Sequence, residues 1–363
     1  MNIKNLLKDK LLNVPKIQKS GHHYLDFTKN ILNSYSAKLQ KVSDSQINLI
    51  EGATDFKEFN KMLIDGVITA LVEYYNGNPF KSYEQIHKIL GEYNKYPRIK
   101  NVLIPQGSNL YRIRAKNENY PLPRKELFHI PFELRGKVQS QRYSIPGFPT
   151  LYLSNSVYVC WEELERPDID DIQASLFKSN TDLTVLDFMR PDSYRLKYAN
   201  LPIDKELLDY LMIWPLIMAS SVKVDGKRDF FKPEYIIPQL ILQWVKENEN
   251  VDGIRYFSNN VDINGGTQGE FYNIAIPVKQ NKSEGYCDKL KELFTMTEVW
   301  SLPLNDAALG NANILYSRAT YTGINTDIKS LELISGKATE YYSSVFAKFE
   351  LNLKSLENKA VDF

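Results

Sequence analysis

Over the first hundred residues apolar side chains recur every three to four positions. In DFTKNILNSYSAKLQ, Phe27, Ile31, Leu32, Tyr35 and Leu39 follow helical spacing. In TDFKEFNKMLIDGVITALVEYY, Phe56, Phe59, Leu63, Val67, Leu71 and Tyr75 do the same, with Thr54 or Asp55 as the N-cap candidate. SYEQIHKILGEY opens with Ser82 three residues before Gln85, which is capping-box spacing. The pattern predicts a helical N-terminal domain over residues 1–100, with its boundary near NKYPRIKN at 94–101.

Beyond residue 101 the period shortens. NVLIPQGSNLYRIRA suggests one or two strands around a turn, and TLYLSNS is a strand that ends abruptly. LTVLDF, GIRYFS and NIAIPV are further β-like runs, separated by helical stretches such as KELLDYLMI and EYIIPQLILQWVKENEN. This mixture predicts an α+β domain over residues 101–280. Residues 281–363 are polar and weakly periodic until the end, where Tyr342, Val345, Phe346, Phe349, Leu353 and Leu356 share a helical face. They read as a C-terminal extension ending in an amphipathic helix. No internal repeat and no low-complexity linker interrupts this three-part reading.

Composition narrows the picture. Hydrophobic residues make up 43% and charged residues 25%, and the net charge is +1. These are values of a soluble globular protein without a bulk attraction for nucleic acid or membranes. Cys160 and Cys287 lie far apart, which argues against a disulfide scaffold and for a reducing, cytoplasmic compartment. Four histidines and two cysteines show no metal-ligand spacing. The start, MNIKNLLKDKLLNV, is too interrupted by charge for a secretory signal. LLDYLMIWPLIMASSV contains Asp209 and Pro215 and is too short to span a bilayer. Lys223, Lys227, Arg228 and Lys232 form a basic cluster that reads as a solvated loop.

Three stretches combine a short apolar strand with polar residues at or near its end: LYRIRA, RYSIPGFPTLYLSNSVYVCWEEL and VDGIRYFSNN. Strand ends are where rigid backbone presents functional side chains. Each residue has a bland reading. Arg112 suits a surface salt bridge, Glu162 and Glu163 a helix terminus, Ser258 a turn, and Tyr152 the core. Taken together they describe a pocket for an anionic substrate, with a cationic floor and one carboxylate.

In this order the motifs resemble the RES domain family, named for an Arg, a Glu and a Ser, over roughly residues 108–278, about half of the chain. The counterparts here are Arg112, Glu163 and Ser258, with Arg142 matching the family's second arginine and Tyr152 the tyrosine of its V-Y-x-S strand. Where the family usually has Gly-Arg-Trp-Asn, this chain has Gln141-Arg142-Tyr143-Ser144. Glu162 is the alternative to Glu163, and Arg114 the alternative to Arg112 on the same strand face.

The resemblance implies an ADP-ribosyltransferase-like fold and a growth-arresting toxin or defence effector that destroys NAD+ by hydrolysis or phosphorolysis. NAD+ would be the substrate and inorganic phosphate a co-substrate, with no metal or resident cofactor. A cognate antitoxin is an expected partner, and the helical N-terminal region an expected site of homo-oligomer or trigger contacts. Arginine suits the pyrophosphate because its guanidinium donates bidentate bonds. The leaving nicotinamide is already cationic, so no general acid is required. One carboxylate, Glu163, would stabilise the oxocarbenium-like transition state. Tyr152 would meet the nicotinamide end, and Ser258 a ribose hydroxyl or the carboxamide. Two other readings stand beside this one: ADP-ribosyl transfer to a macromolecule, and a non-enzymatic partner-binding module. An all-helical ribonuclease is disfavoured, because the first arginine is Arg98 and His22, His23 and His87 have no arginine before it.

Overall fold

Among the described residues helices dominate up to residue 95, with one two-residue strand at Ile17–Gln18, and the strands of the large sheet begin at 101, where the hydrophobic period changes. The computed structural model describes residues 2–19, 23–47, 56–95, 101–116, 120–191, 205–225, 229–263, 265–301 and 327–363. Thr54, Asp55, residues 96–100 of the expected boundary, and Lys227 and Arg228 of the basic cluster lie outside them.

The principal elements run in this order. Helices α1 (Tyr24–Gln40), α2 (Phe56–Tyr75) and α3 (Pro79–Lys95) come first. Strands β1 (Asn101–Ile104), β2 (Asn109–Ala115) and β3 (Thr150–Ser154) lead to helix α4 (Val157–Glu163). Strands β4 (Ile172–Ser179) and β5 (Leu183–Phe188) precede helices α5 (Lys205–Ser221) and α6 (Ile236–Glu247). Next are β6 (Gly253–Phe257), β7 (Gln268–Gly269), β8 (Tyr272–Pro277), β9 (Phe294–Met296) and β10 (Trp300–Ser301). The chain closes with β11 (Ile328–Ile334), β12 (Lys337–Glu340), α7 (Val345–Ser355) and β13 (Lys359–Ala360).

These elements sort into two compact units. One comprises residues 1–101, 140–145 and 187–248; the other comprises 102–139, 146–186 and 249–363. The three-part reading of the sequence is thereby redrawn. Helices α5 and α6, expected within the 101–280 domain, belong with the N-terminal helices. Residues 281–363 are no appendage, because β9 and β10 both pair with β4 and β13 pairs with β9.

In the helical unit, α2 packs against α1, α3, α5 and α6. A Cβ on Gly66 would lie 2.4 Å from Ile89 Cγ2, so glycine is what lets α2 and α3 approach this closely. Pro215 sits inside α5 and has no N–H to give the Leu211 carbonyl. Tyr35 Oη donates to that carbonyl at 2.5 Å, and Asn60 Nδ2 donates to Leu211 and Met212 at 3.2 and 3.0 Å. The proline-broken helix is thus completed by two side chains of its neighbours. Ser82 does not open a helix as expected: α3 starts at Pro79, whose missing N–H is harmless at a first helical position. The buried Ser82 hydroxyl instead donates to Ala70 O at 2.6 Å. On α1 the buried face is Tyr24, Thr28, Leu32, Tyr35 and Leu39, so Phe27 and Ile31 lie beside the core.

In the other unit the large sheet runs β13-β9-β4-β2-β3-β8-β6-β5-β1, with β10 also on β4. Strands β1 and β2, adjacent in sequence, are not a hairpin; β1 is the sheet's edge and β2 lies near its middle. Between β2 and β3 the register contains one residue pair, Tyr111 with Ser154. The alternation of side chains separates two cores. Leu110, Leu151, Leu153, Phe177, Ile274 and Ile276 belong to one. Tyr111, Ile113, Ala174 and Leu176 belong to the other, together with Val157 and Tyr158 of α4 and Phe346, Phe349 and Leu353 of α7. Helix α7 begins at its Ser344 cap, so Tyr342 precedes it and is exposed, while Glu350 sits on its buried face. Among the described residues no helix is long and apolar enough to cross a membrane.

Candidate functional site

The site is built at the turn from β3 into α4. Asn155 bridges this turn to the neighbouring chain, donating to Glu270 O at 2.9 Å and accepting from Tyr272 N at 3.2 Å. Ser156 caps α4 by accepting from Val159 N at 3.1 Å. The Val157 N–H is met by the buried Glu350 carboxylate at 2.9 Å. The helix is short because its apolar stretch, Val157 to Cys160, is buried and a left-handed pair follows its end: Glu165 and Arg166 have φ of 61° and 59°. Non-glycine residues adopt this region at a cost. Arg166 is held there by a bidentate bond to Glu162, at 2.9 and 3.0 Å, and by lying over the Trp161 ring.

Glu162 and Glu163 therefore part company. Glu162 is 4% exposed and tied to Arg166. Glu163, half-buried, faces the ends of β6 and β8. Ser258 Oγ donates to Glu163 Oε1 at 2.6 Å and accepts the N–H groups of Asn260 and Val261 at 3.2 and 3.3 Å. Those two donors leave the serine proton for the carboxylate. Asn273 Nδ2 donates to Oε1 at 2.7 Å, and Asn260 Nδ2 to Oε2 at 2.9 Å. Three donors thus converge on one carboxylate.

Tyr152 is half-buried on β3, opposite Ala275, while Ser154 is opposite Asn273. Directly paired residues share a sheet face, and so do residues two apart. Tyr152 therefore shares the face of Ser154 and Asn273. Arg112 follows the single β2–β3 pair and donates to the Tyr152 carbonyl at 3.5 Å. Burial, then the neighbouring Arg114, lowers its pKa to about 10, so it remains a cation at neutral pH. Among the described residues no carboxylate lies within ion-pair distance of Arg112. Arg114, its alternative, is paired with Glu126.

Of the five residues singled out from the sequence, Glu163 and Ser258 are in direct contact. Tyr152 shares the sheet face of Ser154 and Asn273, and Arg112 contacts the Tyr152 backbone. Arg142 belongs to the helical unit, where it donates to the carbonyls of Ser220, Val222 and Glu234 and lies over the Tyr235 ring. The first two carbonyls are at the end of α5, so Arg142 serves there as a C-terminal cap. Sequence reasoning missed Asn273, Asn260 and Ser154. Asn260 and Ser154 stand inside the quoted motifs, but a lone Asn heading an apolar strand gave no signal for Asn273. Among the described residues no group of three or more His, Cys, Asp or Glu is placed to hold a metal ion.

Fold and site together define an α+β protein with a hydrogen-bonded carboxylate–hydroxyl–amide cluster where a short helix meets the ends of central strands. Among curated proteins, the chain is 35% identical over 304 residues to "Putative toxin YopC" of Bacillus subtilis (strain 168), covering 78% of this chain and 67% of that protein. The chain belongs to the family of that protein. No protein-family model matches the sequence, and no solved structure matches it. The resemblance to RES domains accordingly rests on the motifs.

Proposed function

We propose that this protein is a toxin that consumes NAD+, cleaving the nicotinamide–ribose bond with Glu163 as the electrostatic catalyst. The observation that carries the reading is the Glu163 carboxylate, held by Ser258, Asn273 and Asn260 at the ends of β6 and β8. A fixed anion suits a reaction whose transition state gathers positive charge on a ribose ring. The C1″–N1 bond breaks with its electron pair leaving on nicotinamide, which becomes neutral and requires no acid. Water or phosphate then forms the new C1″–O bond; water loses its proton to solvent. Arg112, cationic and without a carboxylate partner among the described residues, is the anchor for the pyrophosphate. Tyr152, half-buried beside it, meets the nicotinamide end in this reading. Membership of the family of a protein named as a toxin supports the biological half of the reading, and an ADP-ribosyltransferase-like fold is its structural counterpart.

Induced expression in a bacterial host tests both halves. The wild-type protein should arrest growth and lower cellular NAD+, and Glu163→Gln should do neither. Equal growth arrest by both forms at constant NAD+ would overturn the proposal and point to a partner-binding toxin instead.

A further inference from the structure

Asn273 stands at a buried position of the central sheet, 3% exposed, among side chains that are otherwise apolar along β8. A buried amide there has both ends to satisfy. Its Oδ1 accepts from Ser154 Oγ at 2.5 Å, and its Nδ2 donates to Glu163 Oε1 at 2.7 Å. The two contacts fix each other. With the serine proton on Oδ1, the amide can only turn its N–H towards the carboxylate. Turning the amide over would set two acceptor oxygens against each other at Glu163. The strands fix the geometry further, because Asn273 and Ser154 are direct partners in the β3–β8 register.

We propose that Asn273 is a positioning residue for Glu163, itself oriented by Ser154, so that the three form one directional chain, Ser154 to Asn273 to Glu163. This rests on the reading of Glu163 as the residue that stabilises the reacting ribose. Electrostatic stabilisation depends on where the carboxylate lies relative to the developing charge, and a misplacement of about 1 Å costs on the order of 100-fold. Ser258 and Asn273 share Oε1 while Asn260 takes Oε2, so the plane of the carboxylate is set by all three. Asn273 does this from inside the sheet, where strand pairing allows the least movement.

The test uses purified full-length protein with NAD+ as the probe. Asn273→Ala should lower kcat roughly 10- to 100-fold, as expected for losing a hydrogen bond to a charged group, with KM changed less than about threefold. Ser154→Ala should lower kcat by a smaller factor. The double variant Ser154→Ala/Asn273→Ala should match Asn273→Ala alone, because the serine acts only through the amide. Additive losses, or a loss confined to KM, would overturn the proposal. The second arm requires no turnover. The side-chain amide resonances of Asn273, assigned by their disappearance in the alanine variant, should shift in both Glu163→Gln and Ser154→Ala. Unmoved resonances would overturn the chain even if NAD+ is consumed. Shifted resonances in a protein that leaves NAD+ intact would uphold the chain and refute the substrate.

Discussion

Glu162 and Glu163 end the same short helix, and a helical step of about 100° turns them to different neighbours. Glu162 is buried on Arg166, which sits in a left-handed backbone. Glu163 faces Ser258, Asn260 and Asn273. The first fastens the end of the helix, and the second is the half-buried acceptor of three donors. Glu162→Gln should therefore lower the thermal midpoint, by the roughly 1–3 kcal/mol lost when a charge-assisted bond is broken in a buried setting. Glu163→Gln should cost less, because the amide oxygen can keep Ser258 and Asn273 and only the exposed Asn260 loses its acceptor. Differential scanning calorimetry of both variants checks this, and equal midpoints for the two would contradict the division of roles. At this scale the sequence was informative where residues come in ordered motifs, as with Glu163 and Ser258. It was silent where a contact depends on strand register. Asn273 reaches Glu163 because β8 pairs with β3 in one register, which no local spacing encodes.

Among the elements, α4 is the one on which the site depends, and the C-terminal helix holds its start. Glu350 of α7 accepts from Val157 N and from Tyr341 Oη, while its second oxygen has no hydrogen-bond partner among the described residues. Burial pushes its pKa up to about 7, against the lowering influence of Tyr341, Val157 and Lys354. Tyr111 and the buried Cys160 also lie close enough to feel its charge. The folded state thus holds this proton more tightly than the unfolded chain does. Its contribution to stability is full below the ordinary value of 4.5, declines as pH rises towards about 7, and is then constant. The change amounts to about 3 kcal/mol. Glu350→Gln cannot titrate, so it should gain on wild type between pH 4.5 and 7.5 in urea unfolding; a constant difference would contradict this origin of the pH dependence. The existence of most of these elements was legible in the sequence, since LTVLDF is a strand and the apolar run before residue 222 is a helix. Their partners were not. β1 and β2 flank one turn in sequence and separate in the sheet, and β9, β10 and β13 are too short to show a period.

At the scale of the whole molecule, neither unit follows the chain. The helical unit gathers residues 1–101 with 140–145 and 187–248, and the sheet unit takes in everything after 249. A sequence divided by local character into a helical head, a mixed middle and a polar tail misses this, because α5 and α6 are long-range partners of α2. The reason lies in α5 itself. Its apolar run is interrupted by Pro215, and the orphaned Leu211 carbonyl is satisfied by Tyr35 and Asn60 of the N-terminal helices. The α+β class, by contrast, followed directly from the change of period at residue 101.

The central question is whether NAD+ is cleaved at Glu163. Mass spectrometry of NAD+ incubated with the purified protein, with and without inorganic phosphate and beside Glu163→Gln, measures this most directly. The account predicts release of nicotinamide by the wild type, with ADP-ribose or its 1″-phosphate as the second product, and none by the variant. NAD+ left intact by the wild type in both buffers, or lost equally with the variant, would contradict it.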